Sequence, residues 1–441
     1  MKQDLQSDLL REFTDLKTDA IYHIAFSGGS DSTALLLLFK ELQSRHNLAF
    51  DAIHVNHQLH SDAPEWENHC RNLCREFGID LITKRVDASM YTGHGPEAYA
   101  RKLRYEVFAG LMKQDEILVT AHTEDDLAET LLLQLLRGSG VEGVAAIPRF
   151  RQFATGYIYR PLLGINKNQL ENYLRDIKVS WVFDSSNQDS NLDRNYLRAK
   201  VMPLLSERWP AITRVFRRSA ENFSDTADLL VEIAEMDMDT VLDRDSNCLD
   251  LEFLNKLSSA RQNNLLRHWL KNNGVTQLSR KLISSIHNEV IAAELDRNPE
   301  VRVGNKVITR YRGRIYLIED KSQPATEKDY YEWDSHQDLD LGFGRLNACM
   351  TSGDGIADKY IHNKKLMVCF RKEGERIRLR GRAGTRALKD LFQQAGIPPW
   401  ERSRTPLIYI DNKLAAVAGH WTSADFIAEK SENGWVFKLE H

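Results

Sequence analysis

The sequence IYHIAFSGGSDSTALLLLF, residues 21–39, joins two apolar runs through a turn rich in serine and glycine. The first run, Ile21 to Phe26, has the length of a buried strand, and the second, Thr33 to Phe39, is typical of the apolar side of a helix. We therefore predict a strand, a turn and a helix in that order. The turn between them decides what this unit can bind.

The composition of the turn predicts an anion-binding site. Gly28 and Gly29 allow positive φ angles and leave the backbone bare, while Ser27 and Ser32 supply hydroxyl groups. A helix beginning near Ser30 points unpaired N–H groups outward, and such groups suit a phosphate or a pyrophosphate. The turn therefore favours a phosphorylated ligand.

This turn differs from two common nucleotide-binding loops. It lacks the lysine of G-x-x-x-x-G-K-[ST] and does not match G-x-G-x-x-G. It carries Asp31 instead, which indicates that phosphates arrive with Mg²⁺. The letters S-G-G-S-D-S after a first strand resemble the phosphate-binding motif of the N-type ATP pyrophosphatases. That resemblance implies that residues 27–32 bind ATP, which such enzymes cleave between its α and β phosphates to adenylate a substrate.

Further apolar runs at 49–55, 81–86 and 116–120 alternate with segments of helical composition. Strands that alternate with helices predict an α/β fold with a doubly wound parallel sheet, and the resemblance implies its adenine nucleotide alpha hydrolase-like form. Ligands of such sheets bind beyond the carboxyl ends of the strands. We therefore expect the residues that follow each run to line one crevice.

Two acids follow the fourth predicted strand. Asp126 and Glu129 lie three residues apart at the start of a predicted helix, so their side chains share a face. Carboxylates there can simply complement the helix dipole, or they can form a paired-acid site for an ammonium group. His122 precedes them and is a candidate general base.

Two pairs of arginines are candidates for binding phosphates. Arg101 and Arg104 share one helical face, where they can neutralise phosphates or pair with nearby glutamates on a solvated surface. Arg194 and Arg198 lie one helical turn apart, a spacing that suits a polyphosphate or an RNA backbone. Both interpretations stay open from these residues alone.

Length and composition predict several domains in a cytoplasmic protein. The chain has 441 residues, of which 42% are hydrophobic and 28% charged, with a net charge of −4. Its five cysteines are scattered and indicate no disulfide framework. The charged N-terminal stretch lacks the apolar region of a signal peptide, and no run is long enough to span a bilayer. We expect a cytoplasmic location with no membrane partner; a homodimer is left open.

We predict domain boundaries from changes in pattern along the chain. Residues 1–208 form the catalytic domain, 209–320 a mostly α-helical domain, and 335–441 a small α+β domain. Within the second, residues 209–299 have helical spacing, and residues 301–318 alternate around Arg312-Gly313 as a hairpin does. Residues 320–334 are charged, contain Pro324 and are typical of a linker.

The C-terminal domain carries a concentration of positive charge. Residues 371–405 contain ten arginines and lysines against four acids, a surplus of six in a chain whose net charge is −4. Such a patch is typical of contact with a phosphate backbone. Arg380, Arg382 and Arg402 belong to it. Trp400 follows two prolines, where it can stack on a base or fill the core.

Taken in order, these motifs resemble one branch of the pyrophosphatase family, the tRNA(Ile)-lysidine synthases. The resemblance spans residues 20–205 through S-G-G-x-D-S, H-V-N-H-x-L, E-x-x-A-R-x-x-R-Y, T-A-H-x-x-D-D-x-x-E-T, L-L-R-G-x-G and D-x-S-N-x-D followed by R-N-x-x-R. Residues 384–400 are similar to the C-terminal signature of the longer members. The family often has a second histidine where this chain has Thr123.

The resemblance implies a two-step reaction on RNA with ATP and Mg²⁺. ATP adenylates the 2-oxo oxygen of the wobble cytidine in the CAU anticodon of tRNA(Ile), and the ε-amine of L-lysine then displaces AMP. Asp31 is implied in Mg²⁺ binding, Asp126 and Glu129 in recognising lysine, and Arg194 or Arg198 in offsetting phosphate charge. The product, lysidine, pairs with A rather than G, so the codon read changes from AUG to AUA.

Three other functions fit the pattern less well. A tRNA thiolase adenylates a base in the same way, but such enzymes normally carry a cysteine pair or C-x-x-C, and this chain has no C-x-x-C. A glutamine-dependent ligase needs a cysteine after Met1. A non-catalytic tRNA-binding module would be expected to have lost its acids, whereas Asp31, Asp126 and Glu129 are all present.

Overall fold

The structure, a computed structural model, describes most of the chain. The described residues are 7, 9–13, 16–88, 96–183, 193–294, 299–320, 330–362, 364–372, 374–382 and 384–440. The D-x-S-N-x-D motif at 184–189 and most of the predicted linker, 321–329, lie outside them. The chain divides into two compact units, Met1–Ile233 and Ala234–His441. The division into 1–208, 209–320 and 335–441 stays a prediction.

The first unit is built on a six-stranded sheet. Its strands are β1 (Ile21–Ala25), β2 (Ala49–Asn56), β3 (Leu81–Arg85), β4 (Ile117–Val119), β5 (Phe150–Phe153) and β6 (Gly156–Tyr159). Their order is β3-β2-β1-β4-β6-β5, parallel except for β5, which pairs antiparallel with β6. The predicted parallel sheet is confirmed. Because the strand order reverses between β1 and β4, a crevice is expected at the carboxyl ends of these two strands.

Helices cover this sheet and extend beyond it. They are α1 (Ser30–His46), α2 (Ala63–Glu76), α3 (Pro96–Leu111), α4 (Glu124–Leu136), α5 (Val141–Val144), α6 (Lys167–Asp176), α7 (Asp193–Tyr196), α8 (Met202–Arg208) and α9 (Ile212–Val241). A 3₁₀ turn covers Pro161–Gly164, and a π-helical turn, Leu197–Val201, joins α7 to α8. The helix α1 is more enclosed than predicted, because every residue from Ser32 to Phe39 is buried. It is a central helix and not a one-sided one.

The second unit begins with helices on an antiparallel sheet. Its elements are β7 (Leu242–Asp243), β8 (Cys248–Asp250), α10 (Leu251–Lys256), α11 (Ser259–Asn272), α12 (Arg280–Ser285) with a π-helical turn (Ile286–Ile291), β9 (Glu300–Val303), β10 (Lys306–Tyr311) and β11 (Arg314–Glu319). The sheet order is β7-β8-β11-β10-β9. The predicted hairpin at Arg312-Gly313 is confirmed, and both turn residues have positive φ, as a tight hairpin turn requires. The strands β7 and β8 interrupt the predicted helical stretch.

The rest of the second unit is α+β, as predicted. Its elements are β12 (Tyr330–Trp333), β13 (Leu339–Asp340), β14 (Arg345–Ser352), β15 (Ile356–Ala357), α13 (Asp358–Ile361), β16 (Leu366–Cys369), β17 (Arg376–Arg378), β18 (Thr385–Ala387), α14 (Leu388–Gln394), α15 (Pro399–Arg402), β19 (Leu407–Ile410), β20 (Lys413–Val417), β21 (Trp421–Thr422) and β22 (Asn433–Glu440). They form sheets β12-β16-β19-β20-β21, β13-β14-β22-β15 and β17-β18. Among the described residues, no helix combines the length and apolarity that crossing a membrane needs.

Candidate active site

The turn after β1 has the shape of an anion-binding loop. Gly28 has a φ of +86°, so the predicted positive φ is found there, whereas Gly29 has a φ of −72° and caps α1 in an extended conformation. A Cβ at Gly28 would lie 2.9 Å from the Sγ of Cys70 in α2. The Oγ atoms of Ser27 and Ser32 lie 3.0 Å apart and hydrogen-bond to each other. Glycine is therefore required at 28 by conformation and by space.

A cavity of about 320 Å³ opens over this loop at the carboxyl edge of the sheet. It joins residues that belong to four separate sequence motifs. It is lined by Gly29 and by the polar residues Ser27, Asp31, Ser32, Arg101, Arg104, Tyr105, Thr120, His122, Asp126 and Arg194. The predicted crevice thus brings together the phosphate loop, one acid of the pair and three of the four arginines.

Asp31 is a half-buried carboxylate in this cavity. Burial raises its pKa to about 6, Lys167 lowers it and the negative charge of Asp126 raises it further. Its side chain accepts a 3.1 Å hydrogen bond from the Ser30 hydroxyl. Asp31 forms no ion pair within 4.0 Å among the described residues, although the charges of Lys167 and Arg198 both lower its pKa. Such a carboxylate favours binding of a cation.

The two predicted acids form ion pairs with two predicted arginines. Glu129, which is 2% exposed, accepts hydrogen bonds from Arg194 Nε at 2.9 Å and from Arg198 Nε at 2.6 Å. Asp126 Oδ1 accepts from the Nη2 atoms of the same arginines, at 2.8 and 3.2 Å. We call these four residues the acid–arginine network. Asp126 and Glu129 do project together, but in this structure their charges are balanced by two guanidinium groups.

The sequence analysis did not predict the acid–arginine network. It expected the two acids to bind an amine and the two arginines to bind phosphates, and it did not expect them to pair with each other. The partners lie 65 to 72 residues apart in the chain. One signal was available: the i,i+3 spacing of the acids on one helix matches the i,i+4 spacing of the arginines on another. Burial is the largest influence on the pKa of Asp126 and raises it, but Arg194, His122, the Thr123 N–H and Arg198 together hold it below the ordinary aspartate value.

Thr123 fixes the first turn of α4, which carries both acids. Its hydroxyl accepts from the Asp126 N–H at 3.3 Å, and its own N–H donates to Asp126 Oδ2 at 2.9 Å. This reciprocal capping box satisfies two N–H groups at the helix start. The threonine that stands where the family often has histidine therefore orients the carboxylate of Asp126.

His122 also lies in the cavity, where it accepts or donates a 2.8 Å hydrogen bond with the Thr120 hydroxyl. Burial lowers its pKa to about 3, with a partial opposing effect from Asp126. The imidazole is therefore neutral near pH 7. A neutral imidazole has a free nitrogen that can accept a proton, and the role of His122 as general base stays a prediction.

Lys167 is a polar residue of this region that was not predicted. It is the first residue of α6, its backbone N–H donates to Asp125 Oδ2 at 2.8 Å, and its charge lowers the pKa of Asp31. The signal was the capping box Asn166-x-x-Gln169, which marks a helix start at Lys167. The starts of α1, α4 and α6 thus lie close to one another. Their N-terminal dipoles add to the attraction for an anion.

Arg101 and Arg104 both line the cavity from α3. Arg101 is exposed and lies over the ring of Tyr105 at 5.0 Å, while Arg104 is half-buried. Among the described side chains neither has a carboxylate partner, and Glu106 pairs with Lys102 instead; the predicted alternative of pairing with Glu97 lies outside the described side chains. Their placement beside the loop is consistent with phosphate binding.

The predicted tRNA-binding residues of the second unit fall into two groups. Arg380 and Arg382 are exposed around the turn between β17 and β18 and have no carboxylate partner in the described part of the chain. Trp400 packs against two tyrosines of the β10–β11 hairpin, with ring centroids 5.1 Å from Tyr316 and 6.1 Å from Tyr311. Arg402 donates to the Tyr311 hydroxyl at 3.0 Å. Trp400 and Arg402 are thus engaged in intramolecular packing.

Three family models match successive parts of the chain. One described as "PP-loop domain" matches residues 1–205, one described as "TilS substrate binding domain" matches 249–316, and one described as "TilS substrate C-terminal domain" matches 366–439. The first covers the sheet and the cavity. The other two cover most of the second unit.

Curated relatives match nearly the whole chain. The tRNA(Ile)-lysidine synthase of Coxiella burnetii is 38% identical over 434 residues, which are 98% of this chain and 96% of that protein. Those of Methylococcus capsulatus and Serratia proteamaculans are each 36% identical and cover 93% of this chain and 94% of theirs. These relatives favour the lysidine synthase interpretation over a thiolase or a non-catalytic module. The chain belongs to the tRNA(Ile)-lysidine synthase family.

Proposed function

We propose that the chain ligates L-lysine to carbon 2 of the wobble cytidine in the CAU anticodon of tRNA(Ile). In the first step the 2-oxo oxygen attacks the α-phosphorus of ATP, and the bond to the leaving pyrophosphate breaks. In the second step the lysine ε-nitrogen attacks the same carbon, and AMP leaves with the oxygen. The observation that carries this proposal is that one cavity contains both a phosphate-type loop and Asp126 of the acid pair.

The loop would hold the phosphates of ATP. Ser27, Ser32 and the first residues of α1 line the cavity, where their hydroxyls and N–H groups would hold and orient the α-phosphate. Arg101 and Arg104 line the same cavity and would neutralise phosphate charge. These groups are fixed before the reaction, so little reorganisation accompanies the development of charge.

Asp31 fits a Mg²⁺ ion that arrives with the phosphates. It is a half-buried carboxylate in the cavity wall without an ion-pair partner among the described residues. Mg²⁺ in such sites typically takes one or two carboxylates and completes its shell with phosphate oxygens and water. When bound, the ion would neutralise charge on the pyrophosphate as it leaves.

The acid–arginine network would receive the lysine. An ammonium group can replace a guanidinium on Asp126 or Glu129, and the displaced arginine then gains a phosphate as its new partner. This exchange keeps every charge compensated, which matters because Glu129 is 2% exposed. The same four residues therefore serve the amine and the polyphosphate in turn.

The second unit would bind the tRNA. Exposed Arg380 and Arg382 present positive charge around the β17–β18 turn, as a phosphate-binding surface does. Trp400 and Arg402 would instead shape this surface through their packing on the β10–β11 hairpin. ATP, lysine and tRNA are all cytoplasmic, and we propose that location for the reaction.

A labelled-lysine assay tests the proposal. The chain is incubated with ATP, Mg²⁺, radiolabelled lysine and tRNA(Ile) carrying a CAU anticodon, and the RNA is then digested to nucleosides. We expect one labelled nucleoside, dependent on ATP and absent with Asp31→Ala. A tRNA whose wobble cytidine is replaced by uridine is the matched control. Label that stays out of RNA, or that enters the uridine control equally, would refute the proposal.

A further inference from the structure

Three consecutive acids tie the first turn of α4 to three different elements. Glu124 pairs with Arg217 of α9, Asp125 accepts the backbone N–H of Lys167 in α6, and Asp126 joins the acid–arginine network. Two of these ties lie near the cavity. The ion pair between Glu124 and Arg217 lies outside the cavity, because Arg217 is not one of its lining residues.

Glu124 is the buried member of its ion pair with Arg217, whose side chain is 28% exposed and whose Nε–H is not aligned for a hydrogen bond. Arg217 Nε lies 3.2 Å from Glu124 Oε1, and Glu124 is 6% exposed. Thr213, one helical turn before Arg217 on α9, hydrogen-bonds to the same carboxylate. Gly164 makes room for the arginine, since a Cβ there would lie 3.2 Å from Arg217 Nη1. Two side chains of α9 thus contact Glu124, the first residue of α4.

Apolar packing continues this contact along the two helices. Leu127 and Leu131 of α4 are buried in one cluster with Ala220 of α9, and Phe216 and Phe223 of α9 pack against that cluster. The helix α9 therefore supports α4 on the side away from the cavity. The ion pair adds a fixed point at the end of α4 that carries the acids.

We propose that Arg217 is a positioning residue, which holds Glu124 and thereby sets the direction in which Asp126 and Glu129 face the incoming amine. The inference rests on the proposed function, because the amine is that of lysine. Arg217 touches no substrate. Its effect reaches the acids through one turn of helix, since Glu124 is two residues before Asp126 and five before Glu129.

The phosphate loop has separate supports, so its function should be spared. Gly28 accepts the Val182 N–H through its carbonyl at 2.8 Å and the Thr33 hydroxyl at 3.2 Å. Neither contact involves α9. Replacement of Arg217 should therefore affect the use of lysine and leave adenylation of tRNA intact.

Steady-state kinetics of the full-length Arg217→Ala variant test the inference. We expect the KM for lysine to rise between about ten- and a hundredfold, because small misplacements of binding groups have effects of that size. The KM for ATP and the rate of tRNA adenylation without lysine should stay at the wild-type values. Arg217→Lys, which keeps the charge, should recover most of the lysine affinity.

Two further variants separate positioning from general damage. Glu221→Gln is the matched control, because Glu221 is an exposed neighbour of the same arginine at 3.8 Å, and its replacement should leave the lysine KM unchanged. Glu124→Gln should raise the lysine KM as Arg217→Ala does, and the double variant should be no worse than either, since both remove the same ion pair.

Several results would overturn the inference. The inference is wrong if the KM for lysine is unchanged in Arg217→Ala. It is also wrong if the KM for tRNA rises while the KM for lysine does not, because Arg217 would then be an RNA contact. Additive effects of Arg217→Ala and Glu124→Gln would also contradict it. If the wild-type chain adenylates tRNA but never incorporates lysine, the proposed function fails and the inference fails with it.

Discussion

Replacement of Gly28 by alanine tests whether the shape of the loop depends on this residue. At a φ of +86° an L-residue is strained by roughly 1–2 kcal/mol. The new Cβ would also lie 2.9 Å from Cys70 Sγ and 3.2 Å from Val182 Cγ2, and crowding of a filled core costs about 1–3 kcal/mol. We expect Gly28→Ala to lower the free energy of unfolding by about 3.5 kcal/mol, the sum of the middle values.

Urea unfolding followed by circular dichroism, together with ATP affinity by equilibrium dialysis, measures this effect. Gly29→Ala is the matched control for unfolding, because Gly29 has a φ of −72° and its nearest neighbour to a new Cβ is at 3.7 Å. Adding Cys70→Ala to Gly28→Ala should relieve the crowding but not the φ strain, with a coupling of about 1 kcal/mol. If Gly28→Ala unfolds at the same urea concentration as Gly29→Ala, the reasoning is refuted.

Three other predictions concern charge. Burial raises the pKa of Asp31 to about 6, so the ionised side chain destabilises the ligand-free fold. Asp31→Asn should therefore increase the free energy of unfolding at pH 7. Urea titrations at several pH values should show this increase disappearing as the pH falls from 6 to the ordinary aspartate pKa of 3.8. Glu129→Gln should raise the lysine concentration needed for half-maximal rate, and an unaltered lysine dependence would remove Glu129 from the amine site. The double variant Arg380→Ala/Arg382→Ala should bind tRNA more weakly and ATP equally well. The slope of log tRNA affinity against log salt concentration should become shallower by about 0.9 for each phosphate that is no longer neutralised.

The sheet and the loop were predictable because their signals are local. The strands β1 and β4 are apolar in their centres, β2 and β3 each contain apolar residues beside polar ones, and the alternation with helices predicts parallel pairing. The helix start at Ser30 follows from the glycines before it. The antiparallel pair β5 and β6 was not predicted, since its residues, RFRQFATGYIYR, mix arginine with aromatics and show no clean period.

Contacts between segments that are far apart in the chain could not be predicted from the sequence. The matched spacings of the two acids and the two arginines permit a pairing but do not establish it, because the contact depends on how residues 193–201 pack against α4. For the same reason Arg217, one of three clustered arginines on α9, looks like a surface residue until Glu124 is seen opposite it. Composition indicates the types of group in the cavity, and only tertiary structure shows their pairing.

Transfer of AMP to RNA tests the central claim most directly. The chain is incubated with tRNA(Ile) and ATP labelled at its α-phosphate, with lysine left out, and the RNA is isolated under denaturing conditions. We predict label attached to the tRNA, released when lysine is added and absent with Asp31→Ala. Label that appears only in free AMP or in an adenylate of lysine, with none on the RNA, would contradict the claim.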